Sequence, residues 1–316
     1  MRPIKTQIAI TVTLVTMTCA ALLHAGPVPA PASFGYVLQA ESLSQTKAGA
    51  VQKLASSKRD WIVLDANYSN SNAWTPQDLA TIRRAQSGRK VIAYLSIGEA
   101  ESYRPYWHSD WTSGGKLTTS APAWLLPENP DWPGNYRVKY WDPAWQSIML
   151  SRVDAVMSSG FDGVYLDIVD GFEYFEKEGN DFVDDRPNSE TGNTYRQDMV
   201  AWVKKIAAAA RRKNAAAMVI PQNGAQLLAH ADYRDVINAI GIEDLFTDGN
   251  KLQPKSSVGY NLSLLKNLAD KTKPVLLIEY PTKSDRKDFV KKEAAQRGFI
   301  WLLTDRQLKT LGVSGR

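Results

Sequence analysis

Short apolar runs alternate with helix-forming stretches along most of this chain, and five of eight such runs finish on or just before an acid. The runs are Phe34–Gln39, Trp61–Asp65, Val91–Ile97, Gly163–Asp167, Met218–Gln222, Ala239–Glu243, Val275–Glu279 and Phe299–Leu303. Each is rich in Val, Ile, Leu, Tyr or Trp without polar alternation, as strands buried on both faces are. Helices are predicted near 43–56, 76–87, 143–159, 194–213, 224–236, 258–270 and 285–297. Thr75-Pro76 and Asp142-Pro143 offer a capping oxygen followed by proline, and Gly88, Gly160 and Gly298 stand where helices should stop. Eight strands alternating with helices predict an α/β fold, a (β/α)8 barrel. A doubly wound open sheet is the alternative, but neither a G-x-G-x-x-G nor a Walker loop is present. The stretch from about 98 to 161 reads as an elaborated functional loop.

The N-terminus carries Arg2 and Lys5, then the uncharged run Ile8–Leu23, then Leu23-His24-Ala25 and a proline-rich segment. This is a signal-peptide pattern, too short and threonine-diluted for a membrane span. The expected organisation is a signal peptide at 1–25, a linker at 26–33 and one catalytic domain at 34–316, secreted or periplasmic and monomeric. Cleavage after Ala25 removes the single cysteine, Cys19, and lowers the formal charge from +5 to +3. No disulfide framework is then available, and the charge is too small to imply nucleic acid.

In a barrel, strand C-termini face the active site. An acid directly after a buried run cannot point into the core without a large desolvation cost. Asp65, Asp167, Glu243, Glu279 and Asp305 all fall there, which predicts an acidic mouth. One such acid alone would read as a helix cap or a loop ion pair. Two carboxylates facing a sugar are what glycoside hydrolysis needs, one ionised and one protonated. No competing set is present: the two histidines beyond residue 25 lie in no H-x-H or H-E-x-x-H pattern, and there is no G-x-S-x-G elbow. No cofactor or metal is expected.

Nine acids lie between Gly160 and Asp185 against the single base Lys177. Those from 176 to 185 read as a solvated loop, whereas Asp167 and Asp170 frame a strand end. Residues 251–316 carry fourteen bases and six acids, so charge is segregated along the chain. An acidic mouth attracts a cationic substrate. Six of ten tryptophans lie between 107 and 145; Trp145 reads as packing, and Trp141 as the best candidate for stacking on a sugar.

Several blocks resemble a known family. They are Val91-Ile92-Ala93-Tyr94-Leu95-Ser96-Ile97-Gly98-Glu99-Ala100-Glu101 with Tyr103-Arg104-Pro105-Tyr106-Trp107, then Val138–Trp145, Gly160–Asp170, Ile220–Gly224 and Gly241–Phe246. In this order, and spanning most of residues 34–305, they are similar to glycoside hydrolase family 114, the endo-α-1,4-polygalactosaminidases. The resemblance implies a (β/α)8 barrel and retaining cleavage of partly deacetylated α-1,4-linked galactosamine polymers. It implies Asp167 as nucleophile, in GVYLD, and Glu243 as general acid/base, in GIEDLF. Asp65, Tyr94, Glu99, Asp170, Gln222, Asn223 and Tyr280 would shape the sugar site. The acidic stretch from Glu176 to Glu190 is longer than the family pattern suggests. Some relatives are labelled as related to cysteinyl-tRNA synthetase, but H-I-G-H and K-M-S-K-S motifs are both absent here. A non-catalytic polysaccharide-binding barrel, or a hydrolase of another aminosugar or α-galactosidic glycan, remain the alternatives.

Overall fold

A computed structural model describes residue 26 and residues 28–179, 181–268 and 273–316. The signal-peptide expectation for 1–25, Cys19 included, lies outside the described residues. Eight parallel strands form the fold: β1 (Phe34–Val37), β2 (Trp61–Asp65), β3 (Lys90–Ser96), β4 (Gly163–Asp167), β5 (Met218–Pro221), β6 (Ile240–Glu243), β7 (Val275–Glu279) and β8 (Ile300–Leu303). Strands β1 to β5 make one continuous parallel ladder, and β6 to β8 a second. A Gln222–Gly241 bridge joins β5 to β6. The C-terminal strand β9 (Val313–Gly315) lies antiparallel to β8, and its Ser314 Oγ accepts the Phe34 amide of β1 at 3.0 Å. Leu38 N adds a bond to Leu308 O at 3.0 Å. The chain is a (β/α)8 barrel whose last seam is bridged by its own C-terminal segment.

Side chains alternate along each strand, which gives two apolar layers. Phe34, Tyr36, Trp61, Val63, Ile92, Tyr165, Ile220, Ile278 and Leu302 fill the barrel interior. Ile62, Leu64, Val91, Val164, Leu166 and Val219 point outward and pack under the helices. Each such large side chain contributes roughly 1.5–3 kcal/mol on burial. This double burial is why the strands read as unbroken apolar runs.

The helices are α1 (Lys47–Ser56), α2 (Pro76–Arg84), α3 (Pro143–Ser158), α4 (Phe172–Glu176), α5 (Tyr195–Lys213), α6 (Ala231–Val236), α7 (Lys255–Leu265) and α8 (Ser284–Arg297). Thr75 and Thr194 close capping boxes with Asp78 and Gln197, and Asp142 caps α3 through Ala144 N. Gly298 ends α8 at a φ of 69°, where a side chain would be strained. The helix predicted over 224–236 is split into a 3-10 turn, Ala225–Ala229, and α6. Asn223 and Gly224 both take left-handed φ, 58° and 60°, and turn the chain sharply out of β5.

The long segment after β3 is more ordered than a loop. Glu99–Glu101, Leu125–Glu128 and Asn135–Val138 form a three-stranded antiparallel sheet at the barrel mouth. Trp111, Trp124 and Trp145 pack edge-on or tilted in a row behind it, with centroids 5.4 and 5.1 Å apart. The segment read as a linker is tied down at its end, since Ala32 N and Ser33 N donate to Asp60 Oδ2 at 2.6 and 3.2 Å. Among the described residues no helix is long and apolar enough to cross a membrane.

Candidate active site

The strand ends open on a cavity of about 740 Å³ lined by Tyr36, Asp65, Tyr94, Asp167, Gln222, Glu243 and Tyr280, among others. Parallel register sets this arrangement. Tyr165 of β4 lies beside Tyr94 of β3, and Asp167 follows two residues later on the same face. The Tyr94 hydroxyl donates to Asp167 Oδ2 at 2.7 Å, and the Ile168 amide to Oδ1 at 2.9 Å. Burial pushes Asp167 above the usual carboxylate range, and these two bonds pull it back. On the next ladder, the Tyr280 hydroxyl, just past β7, donates to Glu243 Oε1 at the end of β6. Burial, and then the charge of Asp167, push Glu243 up to about 7, against the bond from Tyr280. Two carboxylates in one cavity are therefore held differently: bonds from Tyr94 and the Ile168 amide oppose the rise of Asp167, whereas the charge of Asp167 adds to the rise of Glu243.

Three side-chain-bearing residues with left-handed backbone sit just past these strand ends. They are Ile168 (φ 55°), Asn223 (φ 58°) and Asp244 (φ 48°), directly after Asp167, Gln222 and Glu243. For a β-branched residue such as Ile168 this conformation is costly, on the order of 1–3 kcal/mol. Gly98 makes room for it: a Cβ there would lie 2.3 Å from Ile168 O. Sharp turns at these points end the strands at the height of the mouth.

Other residues hold the set. The Tyr165 hydroxyl donates to Gln222 Oε1 at 2.6 Å, and Gln222 Nε2 donates to Asp167 Oδ1 at 3.4 Å. Asn223 Oδ1 accepts the Glu243 amide at 3.1 Å. Arg104 bridges Asp65, at 2.6 and 3.0 Å, and Glu101, at 2.6 and 3.0 Å. Arg306 makes a bidentate pair with Asp244 at 2.8 and 3.0 Å and covers the Tyr280 ring, 4.5 Å from its centroid.

The residues singled out in the sequence separate here. Asp65, Tyr94, Asp167, Asp170, Gln222, Asn223, Glu243 and Tyr280 all line the cavity. Glu99 and Trp141 do not. Glu99 is buried within the mouth sheet, with Oε1 accepting from Asn129 Nδ2 at 2.8 Å. Trp141 packs on Phe175 and Tyr195, and its indole N–H donates to Glu190 at 3.0 Å, so it clamps the acidic stretch in place. The aromatic at the mouth is Trp132, 52% exposed, beside Tyr103. Two strand-end acids act as loop anchors instead. Glu279 accepts from Phe246 N, Thr247 N and Thr247 Oγ1, and Asp305 from Lys309 N and Thr310 N. Glu176, read as solvated, is buried and ion-paired to Arg196 at 2.9 Å. Tyr36, Tyr165, Glu101, Arg104, Trp132 and Arg306 were not singled out for the site. The inward tyrosines were legible as the polar-tipped members of apolar strand runs; the arginines gave no signal.

A barrel with two half-buried carboxylates at its strand C-termini fits the glycosyl hydrolase class. The chain belongs to glycoside hydrolase family GH114, whose model matches residues 23–316. An uncharacterized protein of Deinococcus radiodurans is 37% identical over 275 residues, 87% of this chain and 81% of that one. The glycoside hydrolase domain of PelA from Pseudomonas aeruginosa is 18% identical with a TM-score of 0.61, covering 90% of this chain and 98% of that one. Aspergillus fumigatus Ega3, solved in complex with galactosamine, is 20% identical with a TM-score of 0.62, covering 92% and 96%. These two likenesses concern the barrel fold.

Proposed function

We propose that this chain is a secreted or periplasmic, retaining endo-glycosidase of α-1,4-linked galactosamine polymers, with Asp167 as nucleophile and Glu243 as general acid/base. Asp167 attacks the anomeric carbon while Glu243 gives its proton to the glycosidic oxygen, and the bond between them breaks. Glu243, now ionised, takes a proton from water, whose oxygen attacks the same carbon and releases Asp167. The observation that carries this reading is the unequal hold on the two acids. Asp167 accepts from Tyr94, the Ile168 amide and Gln222, and Glu243 is raised to about 7 within the same cavity.

The charge of the cavity walls bears on the substrate. Asp65, Glu101, Asp167, Asp170 and Glu243 surround the cavity, while Arg104 and Arg306 are already paired to acids. A cationic sugar suits such a site and an anionic one does not. The galactosamine in the complex of the barrel-sharing Ega3 supports the same substrate class. Export rests on the N-terminal sequence pattern. The test is hydrolysis of deacetylated and N-acetylated α-1,4-galactosamine polymers, with products read by mass and anomers by NMR. Asp167→Asn and Glu243→Gln should each abolish cleavage. Full activity in both variants would overturn the assignment; polymer binding without products by the unsubstituted protein would favour a binding barrel.

A further inference from the structure

A second cavity of about 320 Å³ adjoins the first and shares Asp170, Asn223 and Glu243 with it. The larger cavity reaches toward β1, β2 and β3 through Tyr36, Asp65 and Tyr94. The smaller lies among the segments after β4, β5 and β6 and the middle of α7, with Glu173, Gln226, Gln253 and Asn261 on its walls. Its size falls at the lower end of the range of about 300–1,000 Å³ typical of ligand pockets. Almost every lining side chain is a hydrogen-bonding group.

Two of its carboxylates lack a counter-ion. Among the described residues, no cation and no other side chain pairs with Asp170, and Glu173 accepts only from the neutral Gln226 Nε2, at 2.6 Å. The cation in their neighbourhood, Arg196, is already committed to Glu176 and Asp184, at 2.9 and 2.5 Å. Burial and mutual repulsion hold Asp170 well above the usual carboxylate range, and burial raises Glu173 as well. A cation placed between them would offset that cost.

We infer that the smaller cavity is a leaving-side subsite for a second amino sugar, with Asp170 and Glu173 receiving its protonated 2-amino group. This rests on the function proposed above for the side of the bond it serves, because Glu243, the assigned proton donor, stands between the two cavities. A sugar on the far side of the cleaved bond must lie next to that donor. An N-acetylated sugar brings no charge to the same place.

The experiment is calorimetric titration of the Asp167→Asn protein with a deacetylated α-1,4-galactosamine tetramer and with its N-acetylated form. Adding Glu173→Gln should weaken binding of the deacetylated tetramer about tenfold, as for loss of one charge-assisted hydrogen bond, and leave the acetylated one unchanged. Asn261→Trp, filling the cavity from α7, should weaken both. Thermal melts of each variant confirm the fold. Unchanged affinity for the deacetylated tetramer in both variants, or no binding of it by the Asp167→Asn protein, would overturn the subsite. If Asp167→Asn still cleaves the tetramer, the nucleophile assignment falls separately, and KM with and without Glu173→Gln then decides the subsite.

Discussion

Tyr94 donates its hydroxyl to Asp167 Oδ2 at 2.7 Å from the neighbouring strand. The bond is a product of parallel register: Tyr94 pairs with Tyr165, and Asp167 projects from the same face two residues on. It favours the ionised carboxylate against the burial that raises it. Tyr94→Phe should therefore raise the Asp167 pKa, move the acidic limb of the pH–rate profile to higher pH, and lower kcat about ten- to hundredfold. Wild-type kinetics across the profile, in shape and height, would refute the role given to this bond.

On the proposed assignment, the alkaline limb of the pH–rate profile is set by Glu243. Its folded value of about 7 means that the proton needed by the leaving oxygen is lost as pH rises through neutrality. Activity should fall above that point. The Tyr280 hydroxyl favours the charged form of Glu243, so Tyr280→Phe should shift the alkaline limb upward. A downward shift, or a limb unmoved by the substitution, would argue that another group supplies the proton.

Gly241 is where backbone meets the site. A Cβ there would fall 1.9 Å from the Tyr165 hydroxyl, the group that holds Gln222, which in turn reaches Asp167. Gly241→Ala should displace Tyr165, break this relay and cut kcat by a larger factor than it raises KM. Crystal structures or NMR of the variant should show Tyr165 moved. Unchanged turnover would mean that the relay does not position Asp167.

The barrel was legible because parallel strands buried on both faces leave continuous apolar runs, and because Thr75 and Asp142 announce helix starts. The acids at strand ends were legible as a height on the barrel, not as a direction. Asp167 and Glu243 line the cavity, yet Glu279 carries the same signature and turns to the Phe246 and Thr247 amides. Which tryptophan meets the cavity was not legible either. Trp141 and Trp132 lie in one tryptophan-rich stretch, and the mouth sheet together with the Glu190 contact decides that Trp132 lines the opening. Arg104 and Asp65 are 39 residues apart, and the pairing of β2 with β3 brings the segment after β3 over Asp65.

That pairing joins the mouth sheet to the barrel. Arg104 is 7% exposed and serves two carboxylates, Asp65 and Glu101, each at 2.6 Å. Its guanidinium also lies 5.0 Å from the Tyr103 ring centroid, so the mouth sheet, β2 and the cavity rim meet at one planar cation. Removing it leaves two carboxylates unpaired, and breaking a buried ion pair costs about 3–5 kcal/mol. Arg104→Met should lower the urea midpoint by a corresponding amount with the denaturant slope unchanged. Arg104→Lys should restore only part of this, because an ammonium is a point charge without the planar fork that engages Asp65 through two nitrogens while holding Glu101. Equal midpoints for the lysine and wild-type proteins would show that charge alone suffices, and that the fork geometry is not what joins the mouth sheet to the barrel.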